Sequence, residues 1–432
     1  MAGMIQSKSS SSWQVANFAR ILVVVLGLFF CYRLIIGSAR SGYSRLYTFA
    51  AILSQQLEPA DRAVELAEKD PEAHYTRALN LVNLNRLPEA VQELQMAIDL
   101  RPHHYYEWLD LGVTLDRLGD QVKAEAALKE SMSLAPSFAQ PHWQLGSLYY
   151  RQERYDEAFA ELRRGAASNP TLIDGLIELA WATSDGDPAR AESFVQPNTK
   201  RTLLHLAQFF AQQGAGGDAV RMLARADAPA NEEERWWWDQ ALAQLISKKQ
   251  LSEAYHAWSL VHPKAPQGPG VVINGSFADA IGAADFGFGW ELKSVTNVTA
   301  SIDTAGPATD SRSLLYQFSG ASDPASLLLS QIVLVEPRAR YSLTFLARTS
   351  DLVTGGPPVV FIFDAVSNSS TPVAQSKPIV SLSDQWVSYQ IDFSAGNDTS
   401  AIMIGLERVP CAQNPCPAFG RLWLSRFSLA KL

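Results

Sequence analysis

Few residues in this chain are of the types and spacings that do chemistry. Asp285-Phe-Gly287 has the form of a metal-holding tripeptide of phosphoryl transfer, but the strand lysine, catalytic loop and metal-binding Asn are missing. Gly214-Ala-Gly-Gly217 is not followed by the Lys-Ser or Lys-Thr that completes a phosphate cradle. His103-His104 could touch a metal, yet no other ligand stands at matching spacing. Neither Gly-x-Ser-x-Gly nor His-Glu-x-x-His occurs. Paired acids for glycoside hydrolysis stay open, because such partners can be far apart in sequence. Cys411 and Cys416 bracket Ala-Gln-Asn-Pro and read either as a disulfide or as two free thiols. A bridge would need an oxidising compartment. Its small ring would add about 2 kcal/mol at most. No catalytic residue, metal site or cofactor is therefore expected, and the chemistry to look for is binding.

What could position a binding surface is the stretch from Pro71 to Pro170, where one pattern returns every 34 residues. Ala78, Gly112 and Gly146 form one column, and Ala90, Ala124 and Ala158 another. Leu94, Leu128 and Leu162 form a third, and Pro102, Pro136 and Pro170 a fourth. A period of this size means stacked helix pairs. Small residues let the two helices of a pair approach, the leucines are expected between neighbouring repeats, and the prolines end each second helix. Worn copies follow at Leu179-Ala180, at Leu206 to Ala226, and at Ala254 and Trp258. Ala60 and Ala63 hint at half a repeat ahead of Pro71, with Tyr47 to Leu57 as a leading helix. The helical domain is set at 44–262. Arg235-Trp-Trp-Trp238 spreads its rings over about 200° of a helix at roughly 100° each, so one core face cannot bury all three: either at least one ring packs against the following domain, or the core is locally thick there.

The charge is uneven. Of the net −8, residues 1–40 carry +4, residues 41–263 carry −10 (21 basic, 31 acidic) and the remainder −2. An acidic middle argues against a nucleic-acid partner, which needs a basic face. Residues 1–16 are polar and serine-rich and read as a disordered tail. Residues 17–37 are apolar and long enough for about 30 Å at roughly 1.5 Å per residue. They read as a transmembrane anchor, with a cleaved signal peptide as the rival. Basic residues flank both sides, so the positive-inside rule does not set orientation. A disulfide at Cys411 and Cys416 would place the bulk of the chain in the periplasm, outside a bacterial inner membrane.

The repeat columns resemble the tetratricopeptide repeat family: Trp108, Leu111-Gly112, Leu115, Ala124, Leu128 and Pro136 match its pattern in order, as do Leu145-Gly146, Tyr149, Ala158, Leu162 and Pro170. The first full repeat departs, with His74 and Arg77 at the aromatic and leucine positions. The resemblance implies a concave groove lined by first helices. Its positions fall on Tyr75, Asn83, Tyr106, Leu109, Arg117, Trp143, Tyr150, Arg151 and Trp181. That mixture suits an extended peptide or a partner helix.

After the Pro-rich linker 263–270 the period changes from 3.6 to 2. Strands are expected at 271–273, 294–303, 313–318, 326–335, 341–348, 359–365, 385–394, 401–407 and 421–429, an all-β jelly-roll sandwich over 271–432. Asn274-Gly-Ser-Phe277, Gly289-Trp290, Gln385-Trp386 and Leu422-Trp-Leu424 resemble the galactose-binding-like jelly rolls, many of which are carbohydrate-binding modules. The acids that hold calcium in relatives are Ala278 and Ser425 here, which argues against that ion. A sugar would stack on exposed aromatic rings, for which Tyr341, Phe361, Phe363 and Tyr389 are the candidates. The chain thus reads as multidomain α + β: a membrane anchor, a helical-hairpin solenoid that holds a protein partner, and a β-domain that meets glycan. A glycan-active enzyme and a purely structural adaptor are the alternatives.

Overall fold

The computed structural model describes residues 9–263, 265–266, 268–282, 286–308, 311–367, 371–381, 384–411 and 416–432. Asp285 of the rejected tripeptide and the loop between the two cysteines lie outside them. Contacts divide the chain into two compact units, 1–186 with 193–195, and 187–192 with 196–432.

The first unit is helical: α1 (Ser9–Ser54), α2 (Leu57–Leu66), α3 (Pro71–Asn83), α4 (Leu87–Leu100), α5 (Tyr105–Arg117), α6 (Gln121–Leu134), α7 (Ala139–Arg151), α8 (Tyr155–Ser168) and α9 (Ile173–Thr183). Local chemistry sets the boundaries. Asp70 caps α3 by accepting from the Glu72 N–H, with Pro71 at the first helical position. Asp120 caps α6 by accepting from the Lys123 N–H. The glycine column is a demand for closeness. A Cβ on Gly112 would stand 2.6 Å from Leu128 Cγ, and one on Gly146 would stand 2.8 Å from Leu162 Cγ. Each leucine therefore packs within its own helix pair, where the expectation set it between neighbouring repeats. Leu94, Leu128 and Leu162 are all at most 1% exposed.

Helix α1 takes in the second half of the stretch read as a disordered tail and continues well past residue 37. Serine lowers helix propensity only slightly, so the apolar run extends its helix in both directions. Over its last turns Ser44, Thr48 and Ala51 are buried, and the Ser44 hydroxyl donates to Ala63 O at 2.9 Å. The end of α1 and α2 thus make a complete leading pair. It is the one helix among the described residues long and apolar enough to cross a membrane.

Helix α10 (Pro188–Val195) is only 8 residues long, started by Asp187 and Pro188 and ended at Gln196 with φ 47°. The second unit continues with α11 (Lys200–Gln213), α12 (Gly216–Ala226), α13 (Glu232–Ser247) and α14 (Leu251–Val261). The three tryptophans of α13 separate: Trp238 is 1% exposed, Trp237 packs at a tilt against His205 of α11 with ring centroids 3.7 Å apart, and Trp236 is exposed. None of these contacts reaches the β-domain. The rings that do are Tyr255 and Trp258 of α14, against Phe288 at 5.2 and 5.8 Å.

Among the described residues the β-domain has ten strands: β1 (Glu291–Leu292), β2 (Val298–Asp303), β3 (Ser313–Ala321), β4 (Leu329–Leu334), β5 (Arg340–Thr354), β6 (Pro358–Asp364), β7 (Ala374–Gln375), β8 (Val387–Ser394), β9 (Ala401–Arg408) and β10 (Pro417–Lys431). They form two antiparallel sheets, ordered β1-β4-β9-β6-β7 and β2-β3-β10-β5-β8. Alternate residues such as Leu314, Tyr316, Leu343, Phe345, Ile362 and Ile404 fill one core. Residues 271–273 do not form the expected strand. A buried side chain holds them instead: Gln331 Oε1 accepts from Ile273 N at 3.1 Å, and its Nε2 donates to Ile273 O at 3.0 Å. Gly275 is fixed by closeness, since a Cβ there would sit 2.1 Å from Phe427 O. Trp290 Nε1 donates to Asn274 O at 3.1 Å, and Phe277 packs on Trp290, so this motif is a structural corner.

Candidate protein-interaction face

The first helices of the repeats are tied to one another by their own polar side chains. Tyr75 Oη donates to Asp110 Oδ2 at 2.6 Å, Arg117 Nη2 to Asn85 Oδ1 at 3.4 Å, and Thr183 Oγ1 to Tyr150 Oη at 3.2 Å. Arg151 Nη2 donates to Asp116 Oδ2. Each bond joins one repeat to the next. Burial, with the Asp110 charge second, pushes the Tyr75 phenol up, so it stays protonated and donating. The proposed groove positions are therefore partly engaged in joining neighbouring repeats.

Exposure sorts the same residues. Asn83, Tyr106, Arg117 and Arg151 are exposed. Leu109, expected on the groove, is 3% exposed and belongs to the core, because its helical position faces its neighbours. Trp143 is half-buried, its ring 3.3 Å from where a Cβ on Gly175 would lie. Tyr150 is half-buried against Tyr155 and Phe159, and Trp181 is half-buried beside Gly186.

The departures at position 74 have a local logic that column matching missed. Trp108 Nε1 donates to Pro102 O at 2.8 Å. His74 Nε2 meets Glu68 O at 2.9 Å and His142 Nε2 meets Pro136 O at 2.9 Å, each six residues back. The second ring nitrogen then needs a partner that indole does not. Glu93 Oε2 supplies it to His74 at 2.7 Å and Glu161 Oε2 to His142 at 2.6 Å. Position 127, between them in the period, is alanine. Trp with Ala and His with Glu are thus alternative pairs for one site.

The hydrogen bond that His74 donates to Glu93 raises the His74 pKa, while burial opposes it. Burial also opposes the Glu93 charge, but His74 and Arg77 outweigh it and hold that carboxyl low. The His74 contribution is full below its unfolded value of about 6.5 and is lost as pH rises through the folded value. The Glu93 contribution is present above its unfolded value of about 4.3 and is lost as pH falls through the folded one. A His74→Gln chain should therefore show a flatter thermal midpoint from pH 6 to 8 than the native chain. Parallel profiles would refute this assignment.

Sequence reasoning named Tyr106 but not its setting. Tyr105 and Tyr106 stack at 4.1 Å, Phe138 meets Tyr105 at 5.0 Å, and His104 meets Tyr106 at 5.8 Å. Tyr106 is 41% exposed and Phe138 53%. These rings stand at the start of α5 and in the turn before α7, where Ser131 Oγ fixes the backbone by donating to Tyr105 O at 2.9 Å. The signal was present in Tyr105-Tyr106 and in a Phe 32 residues on from Tyr106. It could be recognised only once the period placed the two junctions together.

In the β-domain, Tyr341 is 1% exposed, accepts from Glu336 N at 2.9 Å and stacks on Phe393. It is a core residue, not a platform, because its strand parity faces inward. Tyr389 stacks on Phe345 at 5.2 Å and packs against the core. Phe361 and Phe363 differ. They alternate with the core residues Val360 and Ile362, lie on the outer face opposite Gly405 and Met403, and their rings stand 5.8 Å apart. Cys411 and Cys416 are joined by a disulfide. Among the described residues no three His, Cys, Asp or Glu side chains gather as a metal site.

The tetratricopeptide repeat model matches residues 139–172, which are α7, α8 and the turn that follows. The mouse interferon-induced protein with tetratricopeptide repeats 3 is 26% identical over 111 residues, 25% of this chain and 28% of that protein. MamA from Desulfovibrio magneticus RS-1 aligns at 20% identity with a TM-score of 0.33, over 36% of this chain and 92% of MamA. Pseudomonas aeruginosa pilF aligns at 17% identity with a TM-score of 0.33, over 47% and 97%. Residues 139–172 therefore match a tetratricopeptide repeat, and the helix pairs α3–α4 and α5–α6 before them keep the same 34-residue spacing.

Proposed function

We propose that this chain is a membrane-anchored, non-catalytic tetratricopeptide scaffold in a bacterial cell envelope, with its bulk in the periplasm. It holds a protein partner through the first-helix face. The ring cluster of Tyr105, Tyr106 and Phe138, with Tyr106 and Phe138 exposed and Tyr105 half-buried, carries this reading, because large rigid rings on a braced surface bind at low entropic cost. The apolar length of α1 supports anchoring, and the disulfide supports an oxidising compartment. A photo-crosslinker at position 106 or 138 in cells should trap a defined protein. Tyr106→Ala with Phe138→Ala should weaken that complex by about 30-fold or more, as for hot-spot residues. Unchanged affinity in a chain of native helicity would remove the reading.

A second reading concerns the β-domain alone. Phe361 and Phe363, adjacent on an outer sheet face, make the aromatic surface on which the apolar side of a sugar ring could rest, which favours glycan contact over a purely structural role.

A further inference from the structure

The geometry points to Cys411 and Cys416 as a thiol–disulfide exchange site, at which an external dithiol attacks Cys411 and the Arg408 guanidinium receives the departing Cys416 thiolate.

Arg408, at the end of β9, is 2% exposed. Its hydrogen bonds go to neutral acceptors: Gly356 O at 3.1 Å, Ser322 Oγ at 2.8 Å, Thr354 Oγ1 at 3.0 Å and Cys416 O at 2.9 Å. Among the described residues no carboxylate pairs with it. A buried cation without a counter-charge is costly, and this one also places Nη2 2.9 Å from Cys416 Sγ. While the bridge is closed that sulfur carries no charge. Once the bridge opens, it can carry the anion that the site lacks.

Accessibility sets the order of events. Cys416 is 4% exposed, whereas Cys411 is half-buried, so the incoming thiolate reaches Cys411 first. A new sulfur–sulfur bond forms to Cys411 Sγ as the Cys411–Cys416 bond breaks, and its electron pair leaves on Cys416 Sγ beside Arg408. The second thiol of the dithiol then displaces Cys411, which takes up a proton. The dithiol departs as its own disulfide, two electrons poorer. A low-energy leaving thiolate accelerates such exchange. The backbone is shaped for the bridge too: a Cβ on Gly356 would stand 3.0 Å from Cys416 Sγ and 3.2 Å from Cys411 Sγ.

The test uses the full chain in detergent with Cys31→Ser and Cys411→Ser, leaving Cys416 as the single thiol. Thiolate absorbance near 240 nm is titrated in the folded chain and in the same chain unfolded in urea. Burial alone would hold the folded thiol above its unfolded value of about 8.5. We expect at least a ten-fold larger thiolate fraction in the folded chain near pH 7. A smaller increase, or a decrease, overturns the assignment. Should Cys411→Ser impair folding, the Cys31→Ser chain reduced and freed of reductant is titrated instead, and the same threshold applies to its first thiol.

Discussion

Replacing Leu128 by alanine should lower the stability of the helical array by about 2–5 kcal/mol, the range for emptying a buried leucine site. Leu128 is 1% exposed and fills the space that Gly112 leaves open. Two helices would lose their contact in one step. The site also resists collapse, because the helix backbones already approach as closely as Gly112 allows. Thermal unfolding followed by the helical circular dichroism band measures the effect. Leu100→Ala, at a residue 37% exposed, is the control and should stay within about 0.5 kcal/mol of native. Equal midpoints for the two variants would contradict the interlocked packing.

The second large effect is expected at Gln331. Its amide replaces a missing strand by bonding both the N–H and the C=O of Ile273, inside a site where it is itself 0% exposed. Gln331→Leu keeps approximate bulk but leaves two backbone groups unpaired, at about 1–3 kcal/mol each. Hydrogen exchange at the Ile273 amide should accelerate strongly, with the rest of β4 little changed. Gln331→Glu separates the two bonds, since a carboxylate still accepts from Ile273 N but has nothing to donate to Ile273 O. Native protection at Ile273 in the leucine variant would show that the segment is held by other contacts.

These two sites mark how far the sequence could be read. The 34-residue columns are local chemistry repeated, so small residues, leucines and prolines showed stacked helix pairs between Pro71 and Pro170. Strand parity likewise placed the core of β3, β5 and β9. What failed depended on partners far away in the chain. Nothing within residues 271–273 shows that a glutamine 58 positions later takes the place of a neighbouring strand. The two-residue strands β1 and β7 exist only because β4 and β6 are there to pair with them. Tyr341 was misjudged because an aromatic at a strand start fits either face until a phenol partner, the Glu336 N–H, is seen. The candidate face was half legible. Tyr106 followed from the family pattern, but its neighbour Phe138 lies in a turn that the pattern ignores. The use of Tyr75 and Arg151 as cross-braces appears only when adjacent repeats are stacked.

The unbroken run of α1 has a mechanical meaning. At about 1.5 Å per residue, its 46 residues make a rod of roughly 69 Å with no proline or loop along it. Its far end is locked into the leading helix pair by Ser44 and Ala51. A rod clamped in this way has no joint at which the apolar stretch could swivel independently of the first repeat. Whatever sets the tilt and the rotation of the apolar segment also sets the bearing of the array's first face. A short flexible insertion near Gly42 would release that coupling while leaving both ends folded.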